Sequence, residues 1–283
     1  MRVGVNIFLT DYSIEPVHLG EELEARGYES LWVAEHSHIP TSRITPWGGR
    51  KNAPPLPKEY WHTHDSFVSL SAIAATTDRL RVGTGIALIA QRDPIWLAKE
   101  VVSLDHISKG RFDFGIGFGW NREEMASHGV DAGTRFELVR EKVRLMKALW
   151  TQERASFQGE MIQLEESWAW PKPYQKPHPP IYMGGGGGPK GLAAIAEYCD
   201  GWVPVYPQNL AEKIATLHRM MEERGRSPSE VEIGIYGAKY DQDQWSKWEE
   251  MGVKQVLLFL PPAPAEVVVP ILDEHRFLVE RRL

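Results

Sequence analysis

The chain has 283 residues, 42% of them hydrophobic and 25% charged, a composition that fits a folded α/β protein and excludes a disordered or fibrous one. A formal charge of −6 argues against nucleic acid or an anionic membrane as partner. Cys199 is the sole cysteine, no apolar run is long enough to span a bilayer, and the start lacks a basic-then-apolar leader, so a disulfide-free cytoplasmic protein is expected.

Taken in order, strands and helices alternate. Val3 to Leu9 reads as a strand, and Pro16 to Arg26 as a helix stopped by Gly27, where glycine suits the left-handed cap. Glu29 to Glu35 is a second strand. Ser37 to Thr63 follows, with Pro40, Pro46, Pro54, Pro55 and Pro57 beside Gly48 and Gly49, and is expected as a long functional loop acting as a lid. Asp65 or Ser66 caps a helix to about Thr77, Leu80 to Ile89 is the third strand, Pro94 opens a helix to about His106, and Arg111 to Gly117 is the fourth strand. Gly133 to Trp150 carries apolar residues at helical spacing, Phe157 to Leu164 forms a small hairpin, and proline-rich Pro171 to Pro180 leads into the fifth strand, Ile181 to Gly184. Helices at Pro189 to Tyr198, Leu210 to Arg226, Gln242 to Met251 and Pro264 to Leu278 then alternate with strands at Gly201 to Val205, Val231 to Tyr236 and Gln255 to Leu260.

Eight strands, each followed by a helix, predict a (β/α)8 TIM barrel forming one domain over residues 1–283, with an insertion after strand two and a small hairpin insertion before strand five. The active site is then expected at the carboxyl ends of the strands. Period-two alternation puts Gly83 and Gly85, and Gly115, Gly117 and Gly119, on one face of the third and fourth strands. Either those bare faces form a flat surface for a planar ligand, or the glycines make room for large side chains from opposite strands. With the glycine face inward, Gly4, Asn6 and Phe8, Trp32, Ala34 and His36, Asp113, and Glu232, Gly234 and Tyr236 also point in, which predicts an unusually open and polar lining. Val3, Val5, Ile7, Leu31, Val33, Val82, Phe112, Phe114 and Ile116 point out toward the helices, and Glu35 with them.

His36 ends the second strand at the mouth, and histidine is the side chain best matched to proton transfer near neutral pH. A histidine that only satisfies a hydrogen bond is the alternative. Gly184-Gly-Gly-Gly-Gly188 stands between a strand and a helix N-terminus, where backbone N–H groups and the helix dipole hold an anion such as phosphate; a floppy connector is the competing reading. His62-Thr-His64 has metal-like spacing, but in a proline-rich loop rather than at a strand end, so no metal is expected. Trp47, Trp61, Trp120, Trp168 and Trp170 fall mostly in loops and are candidates for the wall of an apolar pocket.

Ser30-Leu-Trp-Val-Ala-Glu-His36, Leu80-Arg-Val-Gly-Thr-Gly-Ile86, the block from Ser108 to Glu124 and Pro180-Ile-Tyr-Met-Gly-Gly185 resemble the luciferase-like flavin monooxygenase superfamily, and within it the branch using the 5-deazaflavin coenzyme F420. The resemblance runs from the N-terminus to about Val205. It implies an often dimeric barrel holding F420, or FMN as the alternative, with a bulged third strand whose cis peptide maps to Gly85-Ile86. The cofactor phosphate maps to Phe118 and Gly119 and to Gly185, Gly186 and Gly187; His36 maps to a histidine near the ring, and the inward Asn6 completes the cofactor-binding set. Sugar-phosphate dehydrogenases of this superfamily carry an acid where this chain has Trp120, which points to an apolar or aromatic substrate. The expected activity is hydride transfer between F420 and that substrate, with His36 as proton donor or acceptor. An FMN-dependent monooxygenase fed by a partner reductase, and a non-catalytic ligand-binding barrel, are the alternatives.

Overall fold

Branched residues facing out and small ones facing in dictate strands that curl around a common axis while helices cover the outside. The computed structural model describes residues 1–205 and 207–280; the last three residues of the expected single domain lie outside it. In chain order the elements are β1 (Arg2–Ile7), α1 (Pro16–Ala25), β2 (Ser30–Val33), α2 (Ser66–Thr76), β3 (Arg81–Thr84), β4 (Ala87–Leu88), α3 (Pro94–Ile107), β5 (Phe112–Gly117), α4 (Arg122–Ser127) and α5 (Arg135–Thr151). After these come β6 (Ala155–Gln158), β7 (Gln163–Ser167), β8 (Ile181–Gly184), α6 (Pro189–Tyr198), β9 (Gly201–Val203), α7 (Leu210–Glu222), β10 (Glu232–Ala238), α8 (Gln242–Glu250), β11 (Gln255–Phe259), α9 (Ala265–Glu274) and α10 (Phe277–Glu280).

Parallel pairing runs β3-β2-β1-β11-β10-β9-β8-β5 and closes through β3–β5, so the fold is the expected (β/α)8 barrel. The insertion after β2 is present, and β6 and β7 form the antiparallel hairpin before β8. Three local differences matter. The third strand, expected as continuous from Leu80 to Ile89, is divided into β3 and β4, and the cis Gly85–Ile86 peptide that the resemblance implied lies between them. A short helix, α4, stands where none was expected. The last helix is divided into α9 and α10.

Outward residues behave as predicted: Val5, Ile7, Leu31, Val82, Phe112, Phe114 and Ile116 are fully buried against the helices. Burial of each such side chain contributes about 1.5–3 kcal/mol. Glu35 also points outward yet is buried under α2 and α3. Its carboxylate accepts from Leu88 N at 3.0 Å and Ser66 Oγ at 2.9 Å, and pairs with Arg92 at 2.8 Å. One side chain thus ties the residues after β2 to β4, to the start of α2 and to the segment before α3.

The inner face corrects the expectation of an open polar lining. Trp32, Tyr182, Val203 and Leu257 fill the barrel, with Tyr236 packed on them. A Cβ on Gly83 or Gly115 would meet the Trp32 ring at 2.7 and 2.8 Å, and one on Gly85 would meet Tyr236 at 2.7 Å. Gly85 therefore makes room for an aromatic from the opposite side of the barrel, the second of the two readings, while Gly83 and Gly115 accommodate Trp32 from β2, the strand paired with β3. The inward acids lie at the amino end rather than the mouth, where Asp113 pairs with Arg81 and Glu232 with Arg2.

Candidate active site

His36 follows β2 at the carboxyl rim. Its Nδ1 lies 2.8 Å from Glu124 Oε2. Glu124 is fully buried, and its other oxygen accepts from Ser37 N at 3.2 Å. The carboxylate arrives there because Asn121 caps α4, accepting from Glu124 N, so the first turn of that helix faces the end of β2. A carboxylate on Nδ1 selects the tautomer with hydrogen on that nitrogen and leaves Nε2 for proton exchange. Tyr60 and Trp120 flank the imidazole at ring-centroid distances of 5.1 and 5.8 Å.

Glycines form the other half of the rim. Gly185 to Gly188 open onto a cavity of about 520 Å³ also lined by Phe118, Phe136, Met183, Lys190 and Trp202. A Cβ on Gly185, Gly186 or Gly188 would meet nothing within 4 Å, so the peptide groups there are accessible. Gly188 caps α6 without a side-chain hydrogen bond, leaving first-turn N–H groups for an anion. Trp202 Nε1 and Lys213 Nζ bind the carbonyls of Gly185 and Gly186 at 3.1 and 2.7 Å, fixing the loop from behind. This cradle fits a phosphate. Phe118 faces it, whereas Gly119 lines a neighbouring cavity of about 690 Å³ with Trp120, Arg122 and Arg135.

Between the two halves stands the interrupted strand. Ile86 is half-buried at the rim and crosses the ends of β5 and β8, filling the space over Gly117 and Gly184. Tyr236 OH donates to Gly85 O at 2.6 Å from below. Asn6 spends its side-chain oxygen on Gly237 N at 3.1 Å and is 1% exposed, so it supports this layer from within. Gly85 and Asn6 therefore sit beneath the rim; Ile86, Phe118, Gly185, Gly186 and Gly187 sit on it.

The insertion folds over the His36 side. Tyr60 lies 4.7 Å from Phe8 and 5.8 Å from Trp47, and the Arg43 guanidinium sits 5.6 Å over Trp120. Glu123 Oε1 accepts from Ile44 N and Thr45 N, each at 3.1 Å. Trp47 and Trp120 thus join the mouth, while Trp61, Trp168 and Trp170 are exposed elsewhere. His62 pairs with Asp11 at 2.8 Å, and among the described residues no group of three His, Cys, Asp or Glu side chains is placed to hold a metal. Sequence reasoning missed Glu124 and Tyr60, and placed Tyr236 inward without its contact to Gly85 O. For Glu124 a signal existed, since Asn121 followed by two acids is a helix-start pattern.

A parallel barrel with an open glycine loop after its fifth strand and a buried His–Glu pair joining the ends of its second and fourth is a cofactor-dependent barrel enzyme in form. The luciferase-like monooxygenase family model matches residues 15–247, and the chain belongs to that family. It is an F420- or flavin-dependent oxidoreductase of this superfamily, acting on small molecules. An uncharacterized protein of Mycobacterium tuberculosis is 38% identical over 270 residues, 94% of each chain. An F420-dependent glucose-6-phosphate dehydrogenase of Kineococcus radiotolerans is 28% identical over 235 residues, 78% of this chain and 63% of that one. An FMNH2-dependent dimethylsulfone monooxygenase of Pseudomonas putida is 31% identical over 125 residues, 43% of this chain and 34% of that one. Among solved structures, a monooxygenase from Streptomyces bottropensis superposes with a TM-score of 0.77 at 18% identity over the full length of both chains, a likeness of fold. No helix among the described residues is long and apolar enough to cross a membrane.

Proposed function

We propose that the protein is an F420-dependent oxidoreductase that moves a hydride between the cofactor and an apolar or aromatic organic substrate, with His36 as proton donor or acceptor. The observation that carries the acid–base role is the buried Glu124 carboxylate 2.8 Å from His36 Nδ1, at the rim and beside two aromatic rings. The choice of F420 is supported by the span of its relatives: the F420-dependent enzyme aligns over 78% of this chain, the FMNH2-dependent one over 43%. When bound, the deazaflavin supplies hydride exchange at its C5 carbon. The chain does the rest. Gly185, Gly186 and Gly187 with the α6 N-terminus would hold the phosphate, Ile86 over Gly85 and Asn6 would back the ring, and Phe118 and Gly119 would border the tail. Residues 37–63 act as a lid, with Tyr60 and Trp47 excluding water from His36. Trp120, Tyr60 and Phe8 give the substrate side its aromatic character.

The second reading, an FMN-dependent monooxygenase supplied by a reductase, draws on the 31% identity of the shorter alignment. We further place the protein in the cytoplasm as a single-domain homodimer. The dimer is supported by α2, whose eleven residues include no charge although Val68 is 71% exposed, and by α3, where Trp96 is also 71% exposed. Sedimentation equilibrium at micromolar protein is expected to give twice the chain mass; a monomer at all concentrations would remove the dimer. His36→Asn is expected to lower turnover by about 10²–10⁴-fold while the cofactor still binds. Undiminished turnover would end the acid–base assignment.

A further inference from the structure

His36 and Glu124 are both buried, yet an acid or base must regain its proton state after every cycle. The hydrogen bonds around them do not stop at Glu124. Glu124 Oε1 lies 3.5 Å from Ser37 Oγ, and that hydroxyl lies 2.7 Å from His128 Nε2 and 2.9 Å from His38 Nδ1. His38 and His128 are exposed, with ring centroids 5.5 Å apart. The chain of groups therefore begins at a buried imidazole and ends at two solvent-facing ones. Its members come from the end of β2 and from α4, the two elements that meet at the rim.

We propose that Glu124, Ser37 and the His38–His128 pair form a proton relay that connects His36 to bulk water. In the outward direction His36 starts as the imidazolium formed when Nε2 has taken up a proton; its Nδ1–H bond then breaks, the electron pair staying on Nδ1, and an O–H bond forms on Glu124 Oε2. A half-turn about Cγ–Cδ of Glu124 then presents that hydrogen to Ser37. Ser37 Oγ takes it while its own hydroxyl hydrogen passes to a neutral His128 or His38, whose imidazolium releases a proton to water. One proton crosses, each group except His36 returns to its starting state, and no electrons change hands. The inward direction is the reverse. A single serine hydroxyl donates one hydrogen at a time, so its two histidine contacts are alternative exits. Histidine suits that end of the chain because either ring nitrogen can take up or release a proton.

The relay rests on the proposed role of His36 for its purpose, but its existence is measurable without substrate or cofactor. The test is the solvent exchange rate of the His36 ring N–H proton, by NMR on the full-length protein with 15N-labelled histidine. Ser37→Ala and the double variant His38→Gln/His128→Gln are each expected to slow that exchange by roughly tenfold or more, a relayed proton transfer having been interrupted. A purely structural role predicts the opposite sign, because loosening the β2–α4 contact speeds exchange. Unchanged or faster exchange in both variants overturns the relay. Slowing in Ser37→Ala alone overturns its histidine limb. If His36→Asn turns over normally while Ser37→Ala still slows exchange, the acid–base role falls and the proton path stands.

Discussion

At the scale of single residues, Gly187 gives the sharpest test of the anion cradle. Its φ of +68° favours glycine, and a Cβ there would meet the Trp202 ring at 2.6 Å. Trp202 is fully buried and holds Gly185 O through its indole, so it has little room to yield. Gly187→Ala is therefore expected to displace the loop and weaken cofactor affinity by roughly tenfold or more, a backbone misplacement of about 1.4 kcal/mol being sufficient. Equilibrium titration of the variant checks this, and wild-type affinity would mean that the loop does not grip the phosphate. His36 was legible in the sequence because alternation places the end of a strand. Its partner was not: Glu124 is 88 positions away, and only the docking of α4 against β2 brings the two within 2.8 Å.

Elements differ in how far their surroundings can be foreseen. The bounds of β8 and α6 match expectation residue for residue, because Pro180, the glycine run and Pro189 punctuate them strongly. The six residues of α4 are too few for a helical period to show. Alternation told which face of β3 and β5 is inward, but not that Trp32 from neighbouring β2 lies over it and Tyr236 from β10 meets Gly85 from the far side, since such contacts depend on register and tilt. For the same reason Glu35 read as outward without any hint that α2 and α3 bury it. The segment after β4 is anchored by α5: Lys142 Nζ donates to Ile89 O, Ala90 O and Arg92 O at 3.3, 2.8 and 2.6 Å. Burial pushes the Lys142 ammonium down to about 8, with Asp93 opposing the shift. Unfolded, the same group titrates at about 10.4. Between those values the unfolded chain binds more protons than the folded one, so this lysine makes stability rise with pH across that window, and its burial cost is fully present below it. Lys142→Met is expected to remove that rise. Urea unfolding of both proteins between pH 7.5 and 10 checks it (roughly the span of the two pKa values), because the difference cancels other titrating groups; parallel pH profiles would show that Lys142 is not the source.

Over the whole molecule, eight strand–helix repeats made the architecture readable, while the content of the barrel was not. The interior is an aromatic plug over an ionic floor, which leaves the proposed ligand site to the rim formed by Ile86, the glycine cradle and the His36–Glu124 pair. That rim explains why the two bare strand faces are compatible with an enzyme: the room they leave is taken by Trp32 and Tyr236, and Tyr236 supports the Gly85 carbonyl from beneath. The neighbouring cavity with Trp120, Arg122 and Arg135 gives the rim space beyond the cradle itself. On the proposed function, this rim takes the deazaflavin. Equilibrium titration of the purified full-length protein with F420 and, separately, with FMN tests it most directly. Saturable binding of F420 at least tenfold tighter than FMN, about 1.4 kcal/mol, is the expected result; tight FMN binding with no detectable F420 binding would contradict it.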